Sequence, residues 1–212
     1  MEEDALIQHL FAEQWRIARS AALWLAMYIL ASTAGWAWID LNHPGDSKLM
    51  LLGSLADFAV LYLLLIATMQ LAGYFPEGKR GGLWLYVVVG LLVGLATVGG
   101  LIALIVPGLY LAARFAPAMP NALADGGGAF QITKRAWLQT RGHAGSIMLS
   151  MAGAFALLLV MMALFIVEYS VPAELGEALV VGANLAGSLA SIWLIVSQVA
   201  VRRVIPPASR AG

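Results

Sequence analysis

The chain contains no cysteine. That excludes disulfides, thiolate metal sites and a cysteine nucleophile. Its three histidines, His9, His43 and His143, lie far apart with no ligand spacing, so no metal is expected. Walker, Rossmann and His-Glu-x-x-His patterns are missing as well. Gly126-Gly127-Gly128 lacks the Lys-Ser/Thr that a phosphate cradle needs, and it reads as a linker. Glu174 and Glu177 form no paired-carboxylate site, because loop charges of this kind are ordinarily just solvated. The reading therefore contains no enzyme, no cofactor and no nucleic-acid partner. A basic n-region is also lacking: Glu2, Glu3 and Asp4 follow Met1, and the first apolar block is too long for a signal h-region.

Charge is scarce too. Only 11% of residues are charged, against roughly 25% in soluble domains. What is abundant is apolar sequence, 61% of the chain, gathered in long blocks. About 20 apolar residues cross roughly 30 Å of hydrocarbon. Blocks of that size fall at residues 20–39, 49–74, 83–106, 144–167 and 178–201. A sixth, 108–123, carries Pro117, Pro120 and Arg114 and reaches only about 24 Å at helical rise. The expectation is an all-α polytopic bundle, with residues 1–19 a cytoplasmic amphipathic helix and 20–212 the membrane domain.

The charges decide whether 108–123 crosses, since lysine and arginine collect in cytoplasmic loops. If it crosses, Arg16, Arg19, Lys79, Arg80, Lys134, Arg135, Arg141, Arg202, Arg203 and Arg210 share one side. Only Lys48 then faces outward, among the acidic loops of Asp40, Asp46, Glu168, Glu174 and Glu177. If it does not cross, the last six of the basic group move outside. Six spans, the fourth short and proline-broken, with both termini cytoplasmic, is the better topology. Trp15, Trp36, Trp38 and Trp84 fall near span ends, where interfacial anchors belong.

Two segments read as helices lying on the cytoplasmic surface. In the first, Leu6, Ile7, Leu10, Phe11 and Trp15 recur at helical spacing. The second lies within residues 125–142, with Phe130, Thr133, Ala136 and Trp137 beside Lys134, Arg135 and Arg141. Lys134, Arg135, Arg141 and Trp137 are the candidate contacts for anionic lipid. Asp125-Gly126-Gly127-Gly128 is the flexible break before it. Inside the spans, Gly90-x-x-x-Gly94, Ala96-x-x-x-Gly100 and Ala183-x-x-x-Gly187 permit close helix approach.

Two charges fall within the hydrocarbon. Asp57 lies about 12 Å below the outer end of its span and Arg114 about 9 Å below. An unpaired charge at mid-bilayer costs roughly 2.5–3.5 kcal/mol on insertion scales, so the two are expected to pair. The pair reads either as a staple between spans or as a binding or gating site. Thr97 and Asn184 lie at comparable depth and form a candidate polar pocket with it. Pro107 is expected to end the third span, and Gly108 to free the chain to reverse.

Pro107-Gly108-x-Tyr110-Leu111-x-x-Arg114, then Pro117, then Trp137-x-x-Thr140-x-Gly142, resembles a bacterial family. It is that of the membrane domain of glycerophosphoryl diester phosphodiesterases and its stand-alone YciC-like relatives. The match covers Pro107–His143, about a sixth of the chain. The resemblance implies a six-helix inner-membrane protein. In fused members hydrolysis belongs to a separate soluble metal-dependent domain, and no stretch here is long and polar enough to be one. The expected function is therefore non-enzymatic, through contacts with membrane lipids, anionic ones included, or with a protein partner or second copy, in envelope homeostasis. The alternative is a small transporter or lipid-handling protein with its site around Asp57 and Arg114.

Overall fold

The computed structural model describes residues 3–73, 81–103, 105–168 and 170–206. Lys79, Arg80 and Arg210, used above to set topology, lie outside the described residues. Among these residues the structure is all-helical. The helices are α1 (Glu3–Ser20), α2 (Ala22–Asn42), α3 (Ser47–Leu71), α4 (Leu83–Ala103), α5 (Ile105–Phe115), α6 (Ala118–Asp125), α7 (Ala129–Gln139), α8 (Ala144–Glu168) and α9 (Ala173–Val204). Five of them, α2, α3, α4, α8 and α9, are long and apolar enough to cross a membrane. Their surfaces are largely exposed leucine, valine, isoleucine and methionine, as expected of helices whose solvent is lipid. This is a multi-pass integral membrane protein.

The chain divides into two compact units, one of Met1–Ser20, Leu65–Met151 and Ile195–Gly212, the other of Ala21–Leu64 and Ala152–Leu194. In the first, α4 and α5 pack against each other, and glycines explain how closely. A Cβ on Gly108 would lie 2.4 Å from Leu101 Cγ and 2.6 Å from the Leu101 backbone nitrogen. A Cβ on Gly100 would lie 2.9 Å from Gly108 Cα. Side-chain-free backbones fit where any larger residue would not.

These facts correct the expected role of Pro107-Gly108. α4 already ends at Ala103 and α5 begins at Ile105. Pro107 thus sits in the first turn of α5, where a missing N–H removes no helical hydrogen bond. Gly108 is needed for close packing against α4. The proline break falls at Pro117, between α5 and α6. Gly81 N–H then donates to the Leu123 carbonyl at 2.9 Å, so α5 and α6 together return to the starting end of α4. Val89, Ala118, Ala122, Ile132 and Ala136 form the apolar core that joins α4, α6 and α7. Gly126 (φ 60°) and Gly127 (φ 109°) turn the chain from α6 into α7 in the left-handed region. Asp125, expected in the flexible break, instead closes α6.

In the second unit, small residues again mark close contacts. Gly187 faces Met161 Sδ and Gly153 faces the Trp193 ring, so the Ala183-x-x-x-Gly187 pattern serves packing within the chain. Gly94, by contrast, meets nothing within 4 Å.

Candidate functional site

Arg114 closes α5 and is 5% exposed. Its guanidinium donates to the Trp137 carbonyl and to Tyr110 Oη at 3.4 Å. It lies over the Trp137 ring at 4.1 Å, a cation–π contact strengthened by desolvation. Thr140 Oγ1 donates back to the Arg114 carbonyl at 2.9 Å. Tyr110 and Phe115 meet the same indole edge-on and tilted. The spaced residues Tyr110, Arg114, Trp137 and Thr140 therefore form one clamp between α5 and α7. Gly142 (φ 82°) supplies the turn that follows it. One guanidinium nitrogen, Nε, is buried without a hydrogen bond among the described residues.

A second polar cluster in the same unit was not foreseen. Arg202 makes a forked ion pair with Asp125, 2.7 Å at its shorter arm and 3.1 Å at the other. Arg202 also donates to the Asn121 side-chain carbonyl. Asn121 Nδ2 donates to Gln139 Oε1 at 3.0 Å, and Gln139 donates to the Ile205 carbonyl. These polar groups are nearly all buried, so each needs a partner, and the network supplies one. Beside it, Arg203 pairs with Glu13 at 3.0 Å and donates to the Ala72 carbonyl at 2.7 Å. Gln14 donates to the Ser150 carbonyl (3.2 Å) and Ser197 Oγ (3.0 Å). The ends of α9, α6 and α7, the start of α8 and the face of α1 are thereby tied at one level. The Arg16 hydrogen bond, with the charges of Arg16, Arg203 and His9, holds the Glu13 carboxyl below its ordinary value; burial opposes this and is outweighed.

α1 buries Leu6, Leu10, Gln14 and Ile17, leaving Phe11 and Trp15 exposed with Arg19 over the Trp15 ring at 4.7 Å. On α7 the buried face is Ile132, Ala136 and Gln139. Directly opposite, at steps of four, four and three residues, stand Phe130 (79% exposed), Lys134, Leu138 (52%) and Arg141 just past the helix end. Arg135 flanks this stripe, partly buried.

Asp57 is in the other unit. Its Oδ1 accepts from Tyr28 Oη at 3.1 Å and Ser32 Oγ at 3.3 Å. The carboxylate stands in a cleft of about 200 Å³ between α2 and α3, walled by Trp36, Ile39 and Val60. Further along α2 and α9, Thr33 bonds Ser188 at 3.2 Å, and Asn184 bonds Asp40 at 2.8 Å.

No family model, curated protein or solved structure matches the chain. The site is therefore read from its own geometry. Asp57 has hydroxyl partners on α2, Arg114 has a carbonyl and two aromatic rings, and no ion pair among the described residues includes either. Asp57 and Arg114 lie in different units, and each is described by the partners of its own unit. Asn184 bonds Asp40, and Thr97 is a partly buried residue of α4; the two belong to different units. Lys134 and Arg141 are exposed as expected. Trp137, partly exposed, also holds Arg114 through its ring and its carbonyl. Among the interfacial tryptophans, Trp15, Trp38 and Trp84 are exposed, whereas Trp36 turns into the Asp57 cleft.

Proposed function

We propose that this chain is a non-enzymatic, lipid-engaging integral protein of the bacterial inner membrane. It crosses six times with both termini cytoplasmic. It groups with the membrane-domain family that Pro107–His143 resembles. It works through anionic lipid, and through a protein partner or a second copy, in envelope homeostasis. The observation that carries the reading is the outward face of α7. Phe130 and Leu138 alternate there with Lys134 and Arg141, opposite a face packed on α4 and α6. Apolar side chains that insert, interleaved with cations, match the boundary between acyl chains and anionic headgroups. The exposed Phe11, Trp15 and Arg19 of α1 repeat that chemistry. Support for the sixth crossing comes from α5 and α6 returning to Gly81, together with the basic residues that this return gathers on one side.

The test is retention of anionic lipid by the purified protein, read by native mass spectrometry. Lys134, Arg135 and Arg141 replaced together by glutamine should lower bound phosphatidylglycerol or cardiolipin, at about 1 kcal/mol per basic residue, with the melting temperature unchanged. Equal lipid retention in wild type and triple variant would leave these residues a topological role alone.

A further inference from the structure

The Asp57 cleft is not used by the lipid-contact reading, and its chemistry is specific. Both described hydrogen bonds to the carboxylate arrive at Oδ1, which leaves Oδ2 able to accept, and Asp57 lines the cleft. Tyr28 and Ser32 direct their hydroxyls at Oδ1. The surrounding unit, Ala21–Leu64 with Ala152–Leu194, holds Asp40, Asp46, Asp57, Glu168, Glu174 and Glu177 but only Lys48 as lysine or arginine. Lys48 begins α3 nine residues away, about 14 Å by helical rise. A carboxylate in an apolar cleft with no cation assigned to it favours a ligand that brings one.

The cleft's shape restricts that ligand further. Ala31, Gly35, Ala56 and Val60 at its rim are exposed, so it opens sideways on a surface that faces lipid. Trp36 and Ile39 line it within, and Gly53 leaves room for both: a Cβ there would lie 3.0 Å from Ile39 Cδ1 and 3.3 Å from the Trp36 ring. We propose that this cleft binds an amphiphilic monoamine that arrives through the bilayer, its ammonium on Asp57 Oδ2 and its alkyl chain along Trp36 and Val60. An indole wall beside a carboxylate suits an alkylammonium, which is attracted to both. The ammonium of a phospholipid headgroup offers the same chemistry. Asp57, however, lies ten residues into α3, about 15 Å by rise, near the middle of a core roughly 30 Å thick. A headgroup held at the membrane surface does not reach that depth, and a free amine does.

The experiment uses the full chain in phosphatidylcholine nanodiscs and equilibrium dialysis of radiolabelled n-octylamine at pH 7, with empty discs subtracted. Saturable binding of one amine per chain is expected, with none for the neutral analogue n-octanol. Asp57→Asn keeps an acceptor for Tyr28 and Ser32 but removes the charge, and it should weaken binding at least tenfold. Gly35→Leu tests the site independently of charge. A Cβ at Gly35 meets nothing within 4 Å, so leucine is accommodated and closes the rim; binding should again fall at least tenfold. Unchanged melting temperatures in both variants confirm that the site, not the fold, was altered. Binding no greater than in empty discs, or wild-type affinity in both variants, overturns the proposal. Discs containing phosphatidylethanolamine should bind octylamine equally well; competition by that lipid would overturn the free amine in favour of a lipid ammonium.

Discussion

Replacing Gly108 by alanine adds one methyl group at the tightest point between α4 and α5. Its Cβ would lie 2.4 and 2.5 Å from Leu101 Cγ and Cδ2, and 2.6 Å from the Leu101 backbone nitrogen. The leucine side chain can rotate away. The backbone nitrogen cannot, so the helices must separate by something approaching 1 Å, at the roughly 1–3 kcal/mol typical of overpacking. In lipid no hydrophobic gain offsets the lost contact. At about 2–4 °C per kcal/mol for a chain of this size, Gly108→Ala should lower the melting temperature by several degrees in detergent. Gly94→Ala is the matched control: same helix pair, same chemical change, but open space around the new methyl. It should be neutral or slightly stabilising, because alanine is the better helix former by roughly 1 kcal/mol. The assay is thermal unfolding of the two purified variants in parallel with the wild type. Equal melting temperatures for both would refute the close-packing argument. A Gly94→Ala loss larger than that of Gly108→Ala would show that the tight contact lies elsewhere.

Glu13 should confer a pH-dependent attachment of α1. Its folded carboxyl is held below the ordinary value near 4.5, so its stabilisation is complete above that pH and is lost as pH falls through the folded value. Hydrogen exchange in α1 should rise below pH 4.5, and Glu13→Gln should remove that step while weakening α1 at neutral pH; a step that persists in Glu13→Gln would assign it to another group. Thr68 is fully buried, and its Oγ1 has no hydrogen-bond partner among the described residues. Thr68→Val should therefore stabilise by about 1 kcal/mol, measured as a higher unfolding midpoint, whereas destabilisation would mean that the hydroxyl has a partner. For topology, single cysteines near Lys134 and Glu174 can be read without background, since the chain has none of its own. An impermeant thiol reagent on intact cells should label only the Glu174 site, and labelling of both would sink the six-span arrangement.

The sequence made the membrane class and the long helices legible, because composition alone decides what lipid will accept. The span expected at 83–106 is α4 with its end at Ala103, and that at 144–167 is α8 within a residue. Partners were far less legible. Asp57 and Arg114 are conspicuous as charges in grease, but hydropathy records depth, not direction, so the hydroxyls around Asp57 and the aromatic rings around Arg114 were beyond its reach. Asn121, Gln139 and Asp125 escaped notice for the opposite reason. Polar residues near a span end need no explanation until Arg202, 77 positions beyond Asp125, is seen to reach them. One signal was available: Asn121 follows Pro120 in a segment already known to be broken, where freed carbonyls and a polar side chain suggest a polar neighbour.

The bond from Gln14 to Ser197 joins residues 183 positions apart, and Arg203 reaches back to Glu13 across a similar interval. At about 5–20 residues per second of synthesis, α1 waits roughly 10 to 40 s before its partners on α9 exist. Its contact with the start of α8, through Ser150, becomes possible earlier, and those with α9 come last. A ribosome at the membrane would leave α1 resting on the bilayer by its apolar side until α9 is inserted. The contacts of α1 with α9 thus close only after every helix between them has been made.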